Sequence, residues 1–117
     1  MAQEYGPKVV TDGLVLCLDA ADKNSYPGSG ATWSDLSGNN LNGTITNATF
    51  STDKGGCIDF DGSGDYVDLG GSGATLSSMN AYPFTFTAWV TSDTGWTPAS
   101  GMDELLNMNI AGQRVSL

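Results

Sequence analysis

The chain has 117 residues, with thirteen acidic side chains against four basic ones and no histidine, which gives a formal net charge of -9. A negative field of that size repels phosphate backbones and anionic lipid, so neither nucleic acid nor a membrane surface is an expected partner. Without histidine the chain lacks the usual general base at neutral pH, the Ser-His and Cys-His nucleophile pairs and the commonest zinc ligand.

The length fits one small domain, residues 1–117. Sixteen glycines, many Ser, Thr, Asn and Asp, and no long helical periodicity predict a turn-rich, all-β chain. The opening MAQEYGPKVV has no apolar run behind a basic head, so no secretory signal is read there. No stretch approaches a membrane span, and synthesis in a cytoplasm is the expectation.

Taken in chain order, LVLCLD at 14–19 is the first expected strand, with Leu14, Leu16 and Leu18 on an inner face. Residues 20–43 carry Pro27, Gly28, Gly30, Gly38 and Gly43, which predicts a long loop with Trp33 and Leu36 as apolar anchors. Residues 43–50 predict one or two short strands, and Asp53-Lys54-Gly55-Gly56 a turn. Asn42-Gly43-Thr44 and Asn47-Ala48-Thr49 have the spacing of glycosylation triplets, but without a signal they read as turn chemistry.

GCIDFDGSGDYVDLG at 56–70 has the Asp59-x-Asp61-x-Ser63-Gly64 opening of a helix-flanked calcium loop. Its twelfth position is Gly70 where a bidentate carboxylate is needed, and its flanks alternate like strands. The expected structure is a hairpin of two strands around a Gly-Ser-Gly turn. After the linker-like residues 70–82, FTFTAWV at 84–90 is the strongest strand signal. It sets Phe84, Phe86, Ala88 and Val90 on one face and Thr85, Thr87 and Trp89 on the other. A second loop at 92–103 carries Trp96, and ELLNM and QRVSL read as closing strands. Cys17 and Cys57 cannot make a metal cluster alone; they read as reduced, packed thiols, a disulfide requiring that their two strands lie close. Short strands joined by Gly-rich turns point to two packed antiparallel sheets.

TDGLVLCLDA, NSYPGSGATWSDLSGNNLNGT, GGCIDFDGSGDYVDL and FTFTAWV together resemble the laminin-G-like or concanavalin-A-like jelly-roll superfamily. They are most similar to the version found in structural and appendage proteins of tailed bacteriophages. The resemblance runs from about Val9 onward and is most specific from Thr11 to Leu69. It implies an antiparallel β-sandwich whose concave face or rim loops often bind carbohydrate, sometimes with calcium. Members normally continue past the equivalent of ELLNMNIAGQRVSL, so the sandwich is expected to be incomplete at its C-terminal side. Copies of the chain or other virion proteins would then complete it by strand addition.

An enzyme reading rests on carboxylates alone. Glycosidases on this fold use two glutamates flanking an aspartate, whereas Glu4 and Glu104 are the only glutamates and Asp59-x-Asp61 is the nearest same-face pair. No catalytic residue is assigned. Asp59, Asp61 and Asp65 are the candidate calcium ligands; the competing reading, which is preferred, has them capping turns and protecting an edge strand. Tyr26 and Trp96, with Asn39 and Asn40 as polar neighbours, are the candidate carbohydrate-binding residues, while Trp33 and Trp89 are expected in the core. The expected function is that of a non-enzymatic virion surface protein, in capsid decoration or a fibre, contacting surface polysaccharide. The alternatives are a carbohydrate-binding module of a bacterial cell-surface protein and a glycoside hydrolase fragment.

Overall fold

The computed structural model describes residues 9–69, 83–91, 107–110 and 113–116. The described chain is all-β: short strands in antiparallel sheets and a single 3-10 turn. Two compact units divide it, Met1–Gly71 and Ser72–Leu117. Among the described residues no helix is long and apolar enough to cross a membrane.

In the first unit, β1 (Thr32–Trp33), β2 (Gly43–Thr46) and β5 (Tyr66–Asp68) form a sheet in the order β1-β2-β5. The registers pair Trp33 with Gly43, Ile45 with Val67, and Thr44 with both Thr32 and Asp68. Period-two alternation explains the faces. Gly43 and Ile45 are buried with Val67 half-buried beside them, while Thr32, Thr44, Tyr66 and Asp68 are exposed. Gly43 is required by its neighbour, since a Cβ there would lie 2.8 Å from Val67 Cγ1.

β3 (Thr49–Ser51) and β4 (Cys57–Asp59) form a separate two-stranded ladder with Phe50 opposite Ile58, joined through the 3-10 turn η1 (Asp53–Gly55). Residues 47–48 carry the chain from β2 to this ladder, with Asn47 at φ 64 supplying the left-handed step that asparagine tolerates. Residues 60–65 then carry it back to β5. The expected hairpin over 56–70 is therefore corrected. Both strands exist, but β4 pairs with β3 and β5 pairs with β2, so the Gly-Ser-Gly turn links two sheets instead of closing one.

The core of this unit is small, with Tyr26, Leu41 and Ile45 as its buried apolar side chains among the described residues. The Tyr26 ring packs against Phe50 at 5.4 Å between centroids, and its hydroxyl donates to the Gly30 carbonyl at 2.7 Å. Gly56 brings the start of β4 against residues 20–21, where a Cβ would lie 3.0 Å from Ala21 Cα. In the second unit, β6 (Asn107–Ile110) and β7 (Gln113–Ser116) make an antiparallel pair with Met108 opposite Val115. The β7 bounds match the expected QRVSL strand up to Ser116; of the expected ELLNM strand, Asn107 and Met108 lie in β6, and residues 104–106 lie outside the described residues.

Two expected strands are absent. Residues 14–19 form no ladder, and Leu14, Leu16 and Leu18 are half-buried. A polar loop holds this segment where a neighbouring strand was expected. Residues 84–90 belong to no strand and are exposed throughout. Trp89, expected in the core, is 99% exposed. The physical reason is common to both segments: β propensity measures how side chains fit a pleated surface, but a strand exists only where a second backbone pairs with it. Leu36, expected as an apolar anchor, is exposed, and its backbone N–H makes the anchor by donating to the Cys17 carbonyl at 2.8 Å.

Candidate functional site

The most highly connected polar side chain among the described residues is Asp35, in the loop after β1. Its Oδ1 accepts from the backbone N–H groups of Cys17 at 3.0 Å and Ser37 at 2.9 Å. Its Oδ2 accepts from the Ser37 hydroxyl at 2.7 Å and the Leu41 N–H at 3.1 Å. The Asp35 N–H in turn donates to Asn42 Oδ1 at 2.9 Å. Partial burial pushes the Asp35 carboxyl upward, but the bonds from the Ser37 hydroxyl and the three backbone N–H groups outweigh this and hold it below its ordinary value. The carboxylate thereby joins the 14–17 segment to the loop leading into β2.

Neighbouring side chains extend the same clamp. Ser37 Oγ donates to the Val15 carbonyl at 3.0 Å, and Asn39 Nδ2 donates to the carbonyls of Leu14 and Val15 at 3.1 and 2.9 Å. Ser25, fully buried, accepts from the Asp19 N–H through Oγ at 3.1 Å and donates to the Ser34 carbonyl at 2.6 Å. These groups satisfy backbone that a strand ladder would otherwise pair. Trp33 is half-buried on β1, as befits a loop anchor, and its indole N–H is buried with no acceptor among the described residues.

Other aspartates repeat this use on a smaller scale. Asp19 Oδ1 accepts from the Ala21 N–H at 2.9 Å, and Asp22 Oδ1 from the N–H of Asn24 at 2.8 Å. In the loop at 60–65, Asp61 Oδ1 accepts from the Ser63 N–H at 2.8 Å, while Asp65 accepts from the Asp61 N–H and from Asn47 Nδ2. Asn47 Nδ2 also donates to the Ser63 carbonyl at 2.9 Å, so this asparagine of the second glycosylation triplet ties the β2–β3 connection to the β4–β5 connection.

The candidate calcium ligands can be judged on this geometry. Asp59 is exposed at the end of β4, opposite Thr49. Both oxygens of Asp65 and one of Asp61 already accept N–H groups, whose positive ends would face a cation at those oxygens. Among the described residues no group of three or more His, Cys, Asp or Glu side chains is placed to hold a metal ion. As arranged, the Asp61 and Asp65 carboxylates cap the turn at 60–65.

The candidate carbohydrate residues do not gather into one described surface. Tyr26 is buried at 5% exposure, so it presents no ring face for a sugar to pack on. Asn39 uses its amide to hold residues 14–15, and Asn40 is exposed in the left-handed conformation at φ 59. Trp96 lies outside the described residues, as do Glu4 and Glu104. Cys17 and Cys57 are free thiols, both half-buried. Burial first, then the carboxylates of Asp19, Asp35 and Asp22, push the Cys17 thiol up, which disfavours the nucleophilic thiolate.

Sequence reading missed Asp35, Ser37 and Ser25. For Asp35 and Ser37 the signal was present in WSDLSGNN, where short polar side chains that bond backbone two residues on are concentrated in one stretch. No protein-family model, no curated protein and no solved structure matches the chain.

Proposed function

We propose that the chain is a non-enzymatic surface component of a virus particle, in capsid decoration or a fibre, built on a laminin-G-like jelly roll and contacting surface polysaccharide. The observation that carries the non-enzymatic part is the use of the described aspartates. Asp19, Asp22, Asp35, Asp61 and Asp65 each accept backbone or side-chain N–H groups in turns. The virion placement rests on the resemblance of residues 11–69 to phage structural proteins.

A surface component of this kind acts by being held in place and by presenting surface. The exposed, uncharged residues 83–91 supply material for the first task. The test is density-gradient fractionation of particles from the native source, followed by mass spectrometry for peptides of this chain. The expected result is co-sedimentation with genome-filled particles at a constant ratio to the major capsid protein. Peptides confined to the cell envelope would refute it in favour of a carbohydrate-binding module of a cell-surface protein.

A further inference from the structure

Asn42-Gly43 is the only asparagine-glycine pair in the chain, and the fold uses both residues. Gly43 is buried at the start of β2, where a Cβ would lie 2.8 Å from Val67 Cγ1. Asn42 is exposed, and its Oδ1 accepts the Asp35 N–H at 2.9 Å. Asparagine before glycine is also the pair most open to spontaneous deamidation. The second residue has no side chain to hinder attack by its backbone nitrogen on the side chain of the first.

We propose that Asn42 is a latent deamidation site, held closed by the β1–β2 pairing and reacting only when that pairing opens. In the reaction the Gly43 N–H loses its proton to hydroxide, and the nitrogen bonds to Asn42 Cγ. The Cγ–Nδ2 bond breaks, ammonia leaves, and a cyclic succinimide remains. Water then opens either of the carbonyl–nitrogen bonds of the ring, giving aspartate or isoaspartate. Water is the only co-reactant.

Two observations close the site. Ile45 donates its N–H to the Ala31 carbonyl at 2.7 Å, and alternate residues of a strand turn their N–H groups the same way, so the Gly43 N–H faces its register partner Trp33 on β1. A buried N–H held in a ladder is shielded from hydroxide and is not free to turn on the preceding side chain. The bond from the Asp35 N–H also holds the Asn42 carboxamide toward the loop after β1. Exposure of Asn42 therefore does not make it reactive, because the protected group is the nucleophile. Once the reaction has occurred, the native pairing is not restored intact. Isoaspartate adds a methylene to the main chain directly ahead of β2, which moves Gly43 out of register with Trp33. Both products also place a further negative charge beside Asp35, in a chain of net charge -9.

The experiment follows Asn42 in the purified full chain at neutral pH by peptide mapping and mass spectrometry, with amide hydrogen exchange at Gly43 measured on the same protein. A synthetic peptide of residues 36–48 supplies the unprotected rate, and Asn47-Ala48, where a methyl group hinders the same attack, is the internal control. Asn42 is expected to deamidate in the peptide, and at least tenfold more slowly in the native chain. Exchange at Gly43 should be slowed by a similar factor, since both reactions begin by removing the same proton. V67A, which loosens the packing on Gly43, is expected to speed deamidation and exchange together. Guanidinium chloride below the unfolding transition should do the same in wild type. A native rate equal to that of the peptide, no reaction at Asn42 in the peptide, or exchange at Gly43 that rises under guanidinium while deamidation does not would each overturn the proposal.

Discussion

Replacing Asp35 with alanine deletes the acceptor of four hydrogen bonds and leaves the N–H groups of Cys17, Ser37 and Leu41 without their partner. A hydrogen bond to a charged group contributes about 1.5–3 kcal/mol and a neutral one about 1 kcal/mol. Asp35 is only half-buried, so water takes over part of the work and the lower figures apply. About 3 kcal/mol is the expected loss, which for a folding unit of this size lowers Tm by about 12–24 °C. Asp35→Asn keeps one oxygen for Cys17 and Ser37 but points an amide at the Leu41 N–H, so it is expected to cost about 1–2 kcal/mol.

The pH dependence gives a second readout of the same clamp. Because the folded carboxyl titrates below its ordinary value of 3.8, its contribution is complete above that value and is lost as pH falls through the folded pKa. The stability gap between wild type and Asp35→Asn should therefore be widest near neutrality and close as the solution is acidified below about pH 4. Thermal unfolding followed by circular dichroism between about pH 2.5 and pH 7 measures both quantities. If Asp35→Ala unfolds within about 0.5 kcal/mol of wild type, or the gap to Asp35→Asn does not change with pH, the clamp does not hold the fold. Should the alanine variant fail to accumulate, the asparagine variant still supplies the pH test.

Three further outcomes are expected. Ser25→Ala, which strips a fully buried hydroxyl from the Asp19 N–H and the Ser34 carbonyl, should cost about 1–3 kcal/mol in urea unfolding. Gly43→Ala should cost about 1–3 kcal/mol because its Cβ would sit 2.8 Å from Val67 Cγ1, and pairing it with Val67→Ala should cost less than the two single changes added together. Burial and the carboxylates of Asp19, Asp35 and Asp22 raise Cys17 above 9.0, so its contribution to stability is complete below that pH and is lost as pH rises through the folded value. Peptide mapping after iodoacetamide treatment at about pH 8 should show Cys17 reacting at least tenfold more slowly in native than in urea-unfolded protein.

Much of the local structure was legible in the sequence, and most of the pairing was not. The strands at 43–46, 49–51, 57–59 and 66–68 follow from alternation bounded by Gly, Asn and Asp, and the Asp53–Gly55 turn from its composition. Which strand meets which is a nonlocal fact, and the Gly-Ser-Gly stretch read as a hairpin while its two arms joined different sheets. LVLCLD was misread for a related reason. Its apolar alternation is real, but the groups that satisfy its backbone are Asp35, Ser37 and Asn39, twenty or so residues away. For the candidate site, the turn-capping reading of Asp61 and Asp65 was accessible from their place beside glycines. The burial of Tyr26 was not, because its partner Phe50 lies in a strand that sequence spacing does not connect to the first loop.

We propose that the carboxylates of this chain build structure and that its work is done without bond cleavage. The most direct measurement is the release of reducing ends from a panel of bacterial and algal polysaccharides incubated with the protein between about pH 4 and pH 8, the range in which carboxylate pairs cleave glycosides. The account predicts no release above the protein-free control for wild type, Asp59→Asn or Asp61→Asn. Turnover by wild type that disappears in Asp59→Asn or Asp61→Asn, with Tm unchanged, would contradict it and establish a glycoside hydrolase.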